Sequence, residues 1–572
     1  MTVPTLNLDD LDAVRDDLDD DIRALGGGIA AWAALDLAGR ADLLRRVHET
    51  VSANAGIWAE AAIAAKGTPA GPWEGEEWLT GPYVAAANAL ALAESLDRLA
   101  AGRSSAGALP AREVTGGRVA LEVLPANVQQ ALLFSGFKGE IWMPPGVDLA
   151  TITAEAGLGA RRTGENGGVG LVLGAGNISS IGPLDVLYEL VAHNRAAVLK
   201  LNPTFAGLKP ALDLALAPLV DADLLRVVNG GAAVGGYLAD HADVVHVHIT
   251  GSGMTHDAIV WGVGEEAAAR RASGSPRLAK PITSELGGVS PIIVVPGRWS
   301  RADLRYQAEQ VVTQRLQNSG HNCISGQLLI LSSDWEQRDD FLWAVRDVIN
   351  DLPEREPWYP GTDRKMAAAR SSYSRLEDIR GRLLIGVDAD KDEPLFETEY
   401  FSPVLGHTRL PGLGADFFRN AVAFANDRLD GTLGASIVVE PGDRRRMGDT
   451  FESILADLRY GTIGINVWSA FGFLVAGLPW GAFPGHTVDA VGSGIGTVHN
   501  AHLVSGPERS VVTGPFRPFP RSCLAGELAM SPKPGWFVTA RNSDNTARAL
   551  TEYGAKPGWA RMPKLFAQAL RG

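Results

Sequence analysis

The stretch GVGLVLGAGN (168–177), followed by PLDVLYELVAHN (183–194) and AAVLKLNP (196–203), decides the fold. An apolar run ends in a glycine-rich turn, a helical pattern follows, and a second apolar run ends in Lys200. The cycle repeats in LKPALDLALAPLV (208–220), LLRVVNGG (224–231) and ADVVHVHITGSG (242–253). Short buried strands alternating with helices of this length predict an α/β fold with a doubly wound parallel sheet. Ligands bind such sheets outside the carboxyl ends of the strands. Here those ends are 174–177, 200–203, 229–231 and 250–253.

Upstream, the first hundred residues read as helices. Leu8, Leu11, Leu18 and Ile22 share one face of the first, opposite a run of aspartates that reads as a solvated face. A second helix is predicted from about Arg40 to Ile63, and a third running to about Leu99. The Gly/Ser/Ala-rich segment 101–109 reads as a connector, and REVTGGRVALEVLP (112–125) as a strand pair turning at Gly116–Gly117. The aromatic segment 132–145 reads as packing, with a pocket lip or a subunit contact as the other readings. Downstream, PIIVVPG (291–297), GQLLILSS (326–333), GTLGASIVVEPG (431–442) and GTIGINVW (461–468) give a second α/β region. Beyond Ser505, prolines and basic residues rise, and an amphipathic helix is predicted to run to the end.

At 572 residues the chain is too long for one core. Its formal charge of −14 argues against a nucleic-acid surface or an anionic-lipid partner. Two cysteines, Cys323 and Cys523, give neither a disulfide framework nor zinc-ligand spacing, so no metal is expected. The acidic start MTVPTLNLDDLDAVRDDLDDDI (1–22) lacks the order of a signal peptide, and no stretch is apolar enough to span a bilayer. The expectation is a soluble, cytoplasmic protein.

Four residues carry candidate chemistry. Cys323, in QNSGHNCISGQLLIL (317–331), sits at a helix-to-strand junction. Backbone N–H groups in such a turn can lower a thiol's pKa, whereas a buried structural cysteine is the other reading. Glu285, in SELGGVSPIIVV (284–295), precedes an apolar strand, where burial raises a carboxylate's pKa toward general-base work. A hydrogen-bonded structural glutamate is the alternative. Asn177 ends LVLGAGN with an amide suited to an oxyanion, or serves as a turn residue. Lys200 ends a strand at the ligand-binding edge, near where ribose or phosphate would lie, or is an ordinary surface lysine.

Their order and surroundings are more specific. The series LGAGN, VLKLNP, VNGG, ITGSG, SELGGVSP, SGHNC, ETEYFSPV and GTIGIN, with Glu285 and Cys323 thirty-eight residues apart, resembles the aldehyde dehydrogenase superfamily from about Leu35 to Gly494. The resemblance implies two doubly wound parallel-sheet domains plus a small β oligomerisation arm. It divides the chain into a cofactor-binding part (1–282, with 110–160 partly in the arm), a catalytic part (283–490), and an arm return with a C-terminal extension (491–572). The arm is expected around 118–124 and near 497–504, joining a homodimer or homotetramer.

The implied chemistry is NAD- or NADP-dependent oxidation of a small-molecule aldehyde to the acid. Cys323 would be the nucleophile, Asn177 an oxyanion donor, and Glu285 the base that activates water against a thioester. Lys200, Gly251, Ser252, Leu286, Gly287, Glu399 and Phe401 would bind the cofactor. Pro203 stands where many relatives carry a glutamate that holds ribose hydroxyls and penalises a 2′-phosphate, which leaves NAD against NADP open. LNPTFAGLK (201–209) faintly resembles CoA-acylating relatives, which typically lack the glutamate seen at Glu285. A CoA-acylating dehydrogenase or acyl-CoA reductase is therefore one alternative, and a catalytically silent scaffold another. In VWSAFGFLVAGLPWGAF (467–483), Trp468 and Phe471 are the expected substrate contacts, suiting an apolar or aromatic aldehyde, although core packing accounts for these aromatics equally.

Overall fold

The computed structural model describes residues 10–572, so Leu8 of the first predicted helix lies outside the described residues. Among the described residues, seventeen strands form two sheets. In chain order, β1 (Ala111–Val114), β2 (Arg118–Leu124) and β3 (Lys138–Trp142) come first. Then follow β4 (Val169–Leu173), β5 (Ala196–Lys200), β6 (Leu225–Val228), β7 (Val244–Gly251) and β8 (Ile282–Leu286). The second α/β region supplies β9 (Ser290–Val294), β10 (Gly326–Ser332), β11 (Leu376–Ile379), β12 (Arg382–Gly386), β13 (Val404–Leu410), β14 (Gly434–Val438) and β15 (Thr462–Ile465). Two short late strands, β16 (Gly494–Ile495) and β17 (Arg509–Thr513), complete the set.

The smaller sheet has the order β16-β8-β7-β4-β5-β6, parallel except for β16. The chain builds outward from β4 first toward β6 and then, on the other side, through β7 to β8. The reversal at β4 opens a crevice at the carboxyl ends of the strands. The larger sheet runs β1-β2-β3-β17-β15-β14-β9-β10-β13-β12-β11. It is parallel from β17 through β12 and antiparallel at both ends.

The predicted β arm is recognisable as β1 to β3, but it is the edge of the larger sheet, because β17 pairs with β15 on one side and β3 on the other. The return strand is Arg509–Thr513, later than expected; of residues 497–504 only Val498 forms a bridge, to Trp480. The segment 132–145 packs internally, with Phe137 and Trp142 buried.

Three helix boundaries differ from the periodicity reading. The helix predicted over 40–63 is two, Leu37–Ala53 and Ala55–Lys66, parted at Asn54, whose side chain turns back onto the Thr50 carbonyl. The 208–220 segment breaks at Leu216 ahead of Pro218, which cannot donate an N–H to a continuing helix. The C-terminal helix is also two, Ser543–Ala555 and Met562–Ala569, with Pro557 between them. Leu18 and Ile22 are buried as their spacing predicts, and the first helix covers β4, β5 and β6. No helix among the described residues is long and apolar enough to cross a membrane.

Candidate active site

The crevice above β4, β5 and β7 encloses about 440 Å³. Its floor is the glycine-rich turn Gly174–Asn177, with Lys200 and Asn202 on one side and Thr250, Gly251 and Ser252 on the other. Ser252 caps the helix Gly253–Val260, its hydroxyl accepting from the Thr255 N–H at 3.2 Å. Unpaired N–H groups at this helix start, beside Gly251, suit a phosphate.

At the opposite end the crevice is walled by Tyr359, Lys365, Glu399 and Phe401. Burial pushes Glu399 up to about 7 against the opposing pull of Lys365 and Arg315, and its Oε1 has no hydrogen-bond partner among the described residues. A buried, unpartnered carboxylate oxygen calls for a donor such as a sugar hydroxyl. The carboxylate lies against Gly287: a Cβ there would meet Glu399 Oε1 at 2.0 Å, so only glycine admits this approach. Phe401 adopts φ 46°, rare for a bulky residue. Its carbonyl is held at 2.8 Å by His321 Nδ1, and burial lowers His321 to about 3, so the ring stays neutral.

Cys323 follows the helix Arg301–Leu316, which opens with a Ser300–Asp303 capping box. Between helix and thiol the chain turns through three consecutive positive-φ residues, Asn318, Ser319 and Gly320. Asn318, an amide that tolerates this region, organises the turn. Its Nδ2 donates to the carbonyls of Asn177 and His321, both at 3.1 Å. Its Oδ1 accepts from Lys66 at 3.3 Å and Trp358 at 3.1 Å, and its N–H donates to Glu76 at 3.1 Å. Lys66 in turn forms a fully buried ion pair with Glu77 at 2.8 Å, and Arg355 pairs with Glu76 at 2.8 Å.

The thiol of Cys323 donates to Glu285 Oε1 at 3.1 Å, and the indole N–H of Trp480 donates to the same oxygen at 3.2 Å. Burial pushes Glu285 up to about 7 despite these two bonds. Burial and the Glu285 carboxylate both push the Cys323 thiol up. This reverses the expectation that the turn's N–H groups would lower it: the neighbouring negative charge and lost water outweigh the backbone dipoles. The resting pair is thus a thiol facing a proton acceptor.

Beyond the thiol lies a second, apolar cavity of about 70 Å³, walled in part by Ile178, Trp468, Phe471, Phe473, Trp480 and Trp536. Asn177 and Cys323 are the two residues that line both cavities. Asn177 Nδ2 donates to the His321 carbonyl at 3.0 Å, which fixes the amide and leaves its second N–H for a ligand.

The structure therefore gathers Cys323, Glu285 and Asn177 at one point. It sets Lys200, Gly251, Ser252, Gly287, Glu399 and Phe401 around the crevice, and Trp468 and Phe471 in the apolar wall. Leu286 is the exception. Alternation along β8 turns Glu285 and Gly287 to the crevice and buries the Leu286 side chain, whose N–H is spent on Ser493 at 2.8 Å. Sequence reading did not single out Asn318, Lys365, Tyr359 or Trp536 as site residues. Asn318 alone left a signal, lying five residues before the cysteine in the same glycine-containing turn.

A family model described as the aldehyde dehydrogenase family matches residues 199–379, the stretch carrying Lys200, Glu285 and Cys323. The NADP-dependent D-glyceraldehyde dehydrogenase of Picrophilus torridus is 27% identical over 236 residues, covering 35% of this chain and 44% of that protein. Aldehyde dehydrogenase family 3 member A2 of Rattus norvegicus is 23% identical over 277 residues, covering 46% and 52%. The chain spans between 44% and 59% of the length of such curated relatives.

Among solved structures, a gamma-glutamyl-gamma-aminobutyraldehyde dehydrogenase from Burkholderia cenocepacia superposes with a TM-score of 0.59 at 19% identity, over 87% of this chain and 88% of that one. An aldehyde dehydrogenase from Pseudomonas syringae, crystallised with NAD+ and octanal, gives 0.57 at 18% identity over 88% and 90%. An NADP-dependent glyceraldehyde-3-phosphate dehydrogenase from Bacillus halodurans gives 0.56 at 19% identity over 87% and 91%. The stretch 199–379, which holds Lys200, Glu285 and Cys323, is thus similar to the aldehyde dehydrogenase family, and the chain shares the fold of solved aldehyde dehydrogenases over nearly nine tenths of its length.

Proposed function

We propose that the protein oxidises an apolar aldehyde to its carboxylic acid, with NAD or NADP as hydride acceptor and Cys323 as covalent nucleophile. One observation carries this reading: the Cys323 thiol, 3.1 Å from the Glu285 carboxylate, lines both the crevice at the strand ends and the apolar cavity.

Glu285 accepts the thiol proton as sulfur bonds to the aldehyde carbon, giving a thiohemiacetal. The developing oxyanion lies within reach of the Asn177 amide and is stabilised there. A nicotinamide bound in the crevice supplies the acceptor for the hydride that leaves this carbon, and a thioester on Cys323 remains. Glu285, having released that proton to solvent, then takes one from water; hydroxide adds to the thioester, and the acid departs as Glu285 passes its proton to the leaving sulfur and restores the thiol. A base near 7 is matched to both proton transfers at neutral pH.

Ser252 and the helix start at Gly253 would hold the pyrophosphate, Lys200 the adenosine ribose, and Glu399 the nicotinamide ribose. The two carboxylates lining the crevice are Glu285 and Glu399. Pro203 brings no carboxylate to the third position after Lys200, so the reading takes either NAD or NADP as cofactor.

The test is reduced-cofactor formation with aliphatic and aromatic aldehydes, NAD and NADP separately, with and without CoA. CoA-independent turnover that is lost in Cys323→Ala supports the reading. Turnover only with CoA would make the protein an acylating enzyme, and none with any aldehyde would make it a binding protein.

A further inference from the structure

We propose that the segment following Ser505 sets substrate size: Trp536 forms a fixed end wall of the apolar cavity and restricts it to short, uncharged aldehydes. This rests on the aldehyde-oxidation reading of the site for its chemistry, but not for its geometry.

The lining of the cavity comes from separately packed groups of residues. At the thiol end, Cys323 packs with Ile178, Ile324, Trp468, Phe473 and Trp480. Trp536 belongs to neither the thiol's packing group nor its chain neighbourhood. It packs instead with Phe471 and Leu79, the other apolar wall, and is the one lining residue drawn from beyond Ser505. Its indole lies 5.2 Å from the Phe471 ring and 5.9 Å from that of Phe137.

The backbone on either side is clasped. Phe537 stacks on Tyr306 at 5.4 Å, the Val538 N–H donates to Thr313 Oγ1 at 3.1 Å, and the Gly535 carbonyl accepts from Ser543. Tyr306 and Thr313 both lie on the helix that leads to Cys323, so wall and nucleophile share one support. Trp536 is held as a wall and does not act as a lid.

The volume of about 70 Å³ has room for roughly five water molecules, about half of the roughly 150 Å³ that holds one benzene ring. The charged residue in the lining is Glu76, and its carboxylate is already committed to Arg355 at 2.8 Å and the Asn318 N–H at 3.1 Å. A substrate carrying its own charge would find no partner and would be desolvated without compensation. The chemistry selected is a short, uncharged aliphatic aldehyde, of about five carbons or fewer.

The test compares the full chain with Trp536→Ala and Trp536→Phe, using n-alkanals from propanal to decanal. In the parent, kcat/KM should peak at about five carbons or fewer and fall at least about tenfold by decanal, a misfitting methylene costing roughly tenfold or more. In Trp536→Ala the decanal-to-pentanal ratio should rise about tenfold or more, with Trp536→Phe between. The second readout is calorimetric binding of the unreactive n-alkanamides, which needs no turnover. A longer amide limit in the variants supports the wall even if no aldehyde is oxidised, in which case only the proposed chemistry falls. Unchanged length limits in either variant that folds, by turnover or by amide binding, overturn the proposal.

Discussion

Replacing Trp480 with phenylalanine should move the pH at which the enzyme becomes active. Trp480 donates to Glu285 Oε1 at 3.2 Å, and the same oxygen accepts from the Cys323 thiol at 3.1 Å. Both bonds favour the ionised carboxylate, while burial, the larger effect, raises Glu285 to about 7. A hydrogen bond to a charged group contributes about 1.5–3 kcal/mol net, and 3.2 Å is the long end of the N–H···O range. The lower figure converts to an upward displacement of about one pKa unit.

The base form exists above the pKa, so kcat/KM rises with pH through the ascending limb. The midpoint belongs to the Glu285–Cys323 pair as a unit. It should lie near 7 in the parent and about one pH unit higher in Trp480→Phe. At pH 7 the variant should retain about a fifth of parent activity, recovering most of it by pH 9.5. Phenylalanine keeps an aromatic ring against Phe473 and His499, so the wall persists. The assay is initial-rate kcat/KM from pH 5.5 to 9.5 at saturating cofactor. An unmoved midpoint with a uniform loss would show that Trp480 acts by packing alone and would refute the hydrogen-bond reasoning.

Three further outcomes follow from the same geometry. Asn177→Ala should lower kcat about 10²–10³-fold with little change in cofactor affinity, measured by stopped-flow turnover and fluorescence titration. Glu285→Gln should abolish steady turnover yet stabilise the fold. The rise from 4.5 to about 7 corresponds to about 3 kcal/mol, a penalty absent below the unfolded pKa and complete above the folded one. Its gain in Tm, about 2 °C for a chain of this size, should therefore appear at pH 8 and vanish by pH 4 in scanning calorimetry. Lys66→Met leaves Glu77 charged and unpaired in the interior, which costs about 3–5 kcal/mol, and the double change with Glu77→Gln should restore most of the lost Tm.

The parts of this site that could be read in the sequence are those where local backbone geometry restricts the residue. The turns at 174–177 and 250–253 need glycine and small polar residues at strand ends, and Gly287 needs to be bare where Glu399 approaches. Glu285 was legible because a carboxylate beside an apolar strand is costly unless paired or used, and Cys323 because of its place at a helix-to-strand junction between small residues. Trp536 was not. Nothing local distinguishes it from a packing tryptophan, and it reaches the cavity only because a distant segment folds back across the helix that leads to Cys323. The Asn54 break and the late return strand at Arg509 escaped for a related reason: periodicity reports which face is buried but not where tertiary contacts interrupt the pattern.

The direction of the Cys323 shift also decides what kind of nucleophile this site can hold. A thiol lowered by helix or turn dipoles would stand as a thiolate and react with any electrophile that reached it. Here the thiol is raised, and its proton acceptor, Glu285, lies 3.1 Å away in the same buried space. In the proposed mechanism attack and proton transfer are then coupled, so that sulfur would become nucleophilic chiefly when a carbonyl occupies the cavity and Asn177 can receive the oxyanion. Slow labelling of Cys323 by a small alkylating agent at pH 7 is the consequence. Because Glu285 also bears negative charge, Glu285→Gln removes one cause of the raised pKa as well as the base. Labelling should therefore speed up in that variant at high pH while turnover is lost. A faster-labelled but inactive enzyme would separate thiolate formation from catalysis; slower labelling at every pH would mean that Glu285 promotes the thiolate, and the coupled scheme would fail.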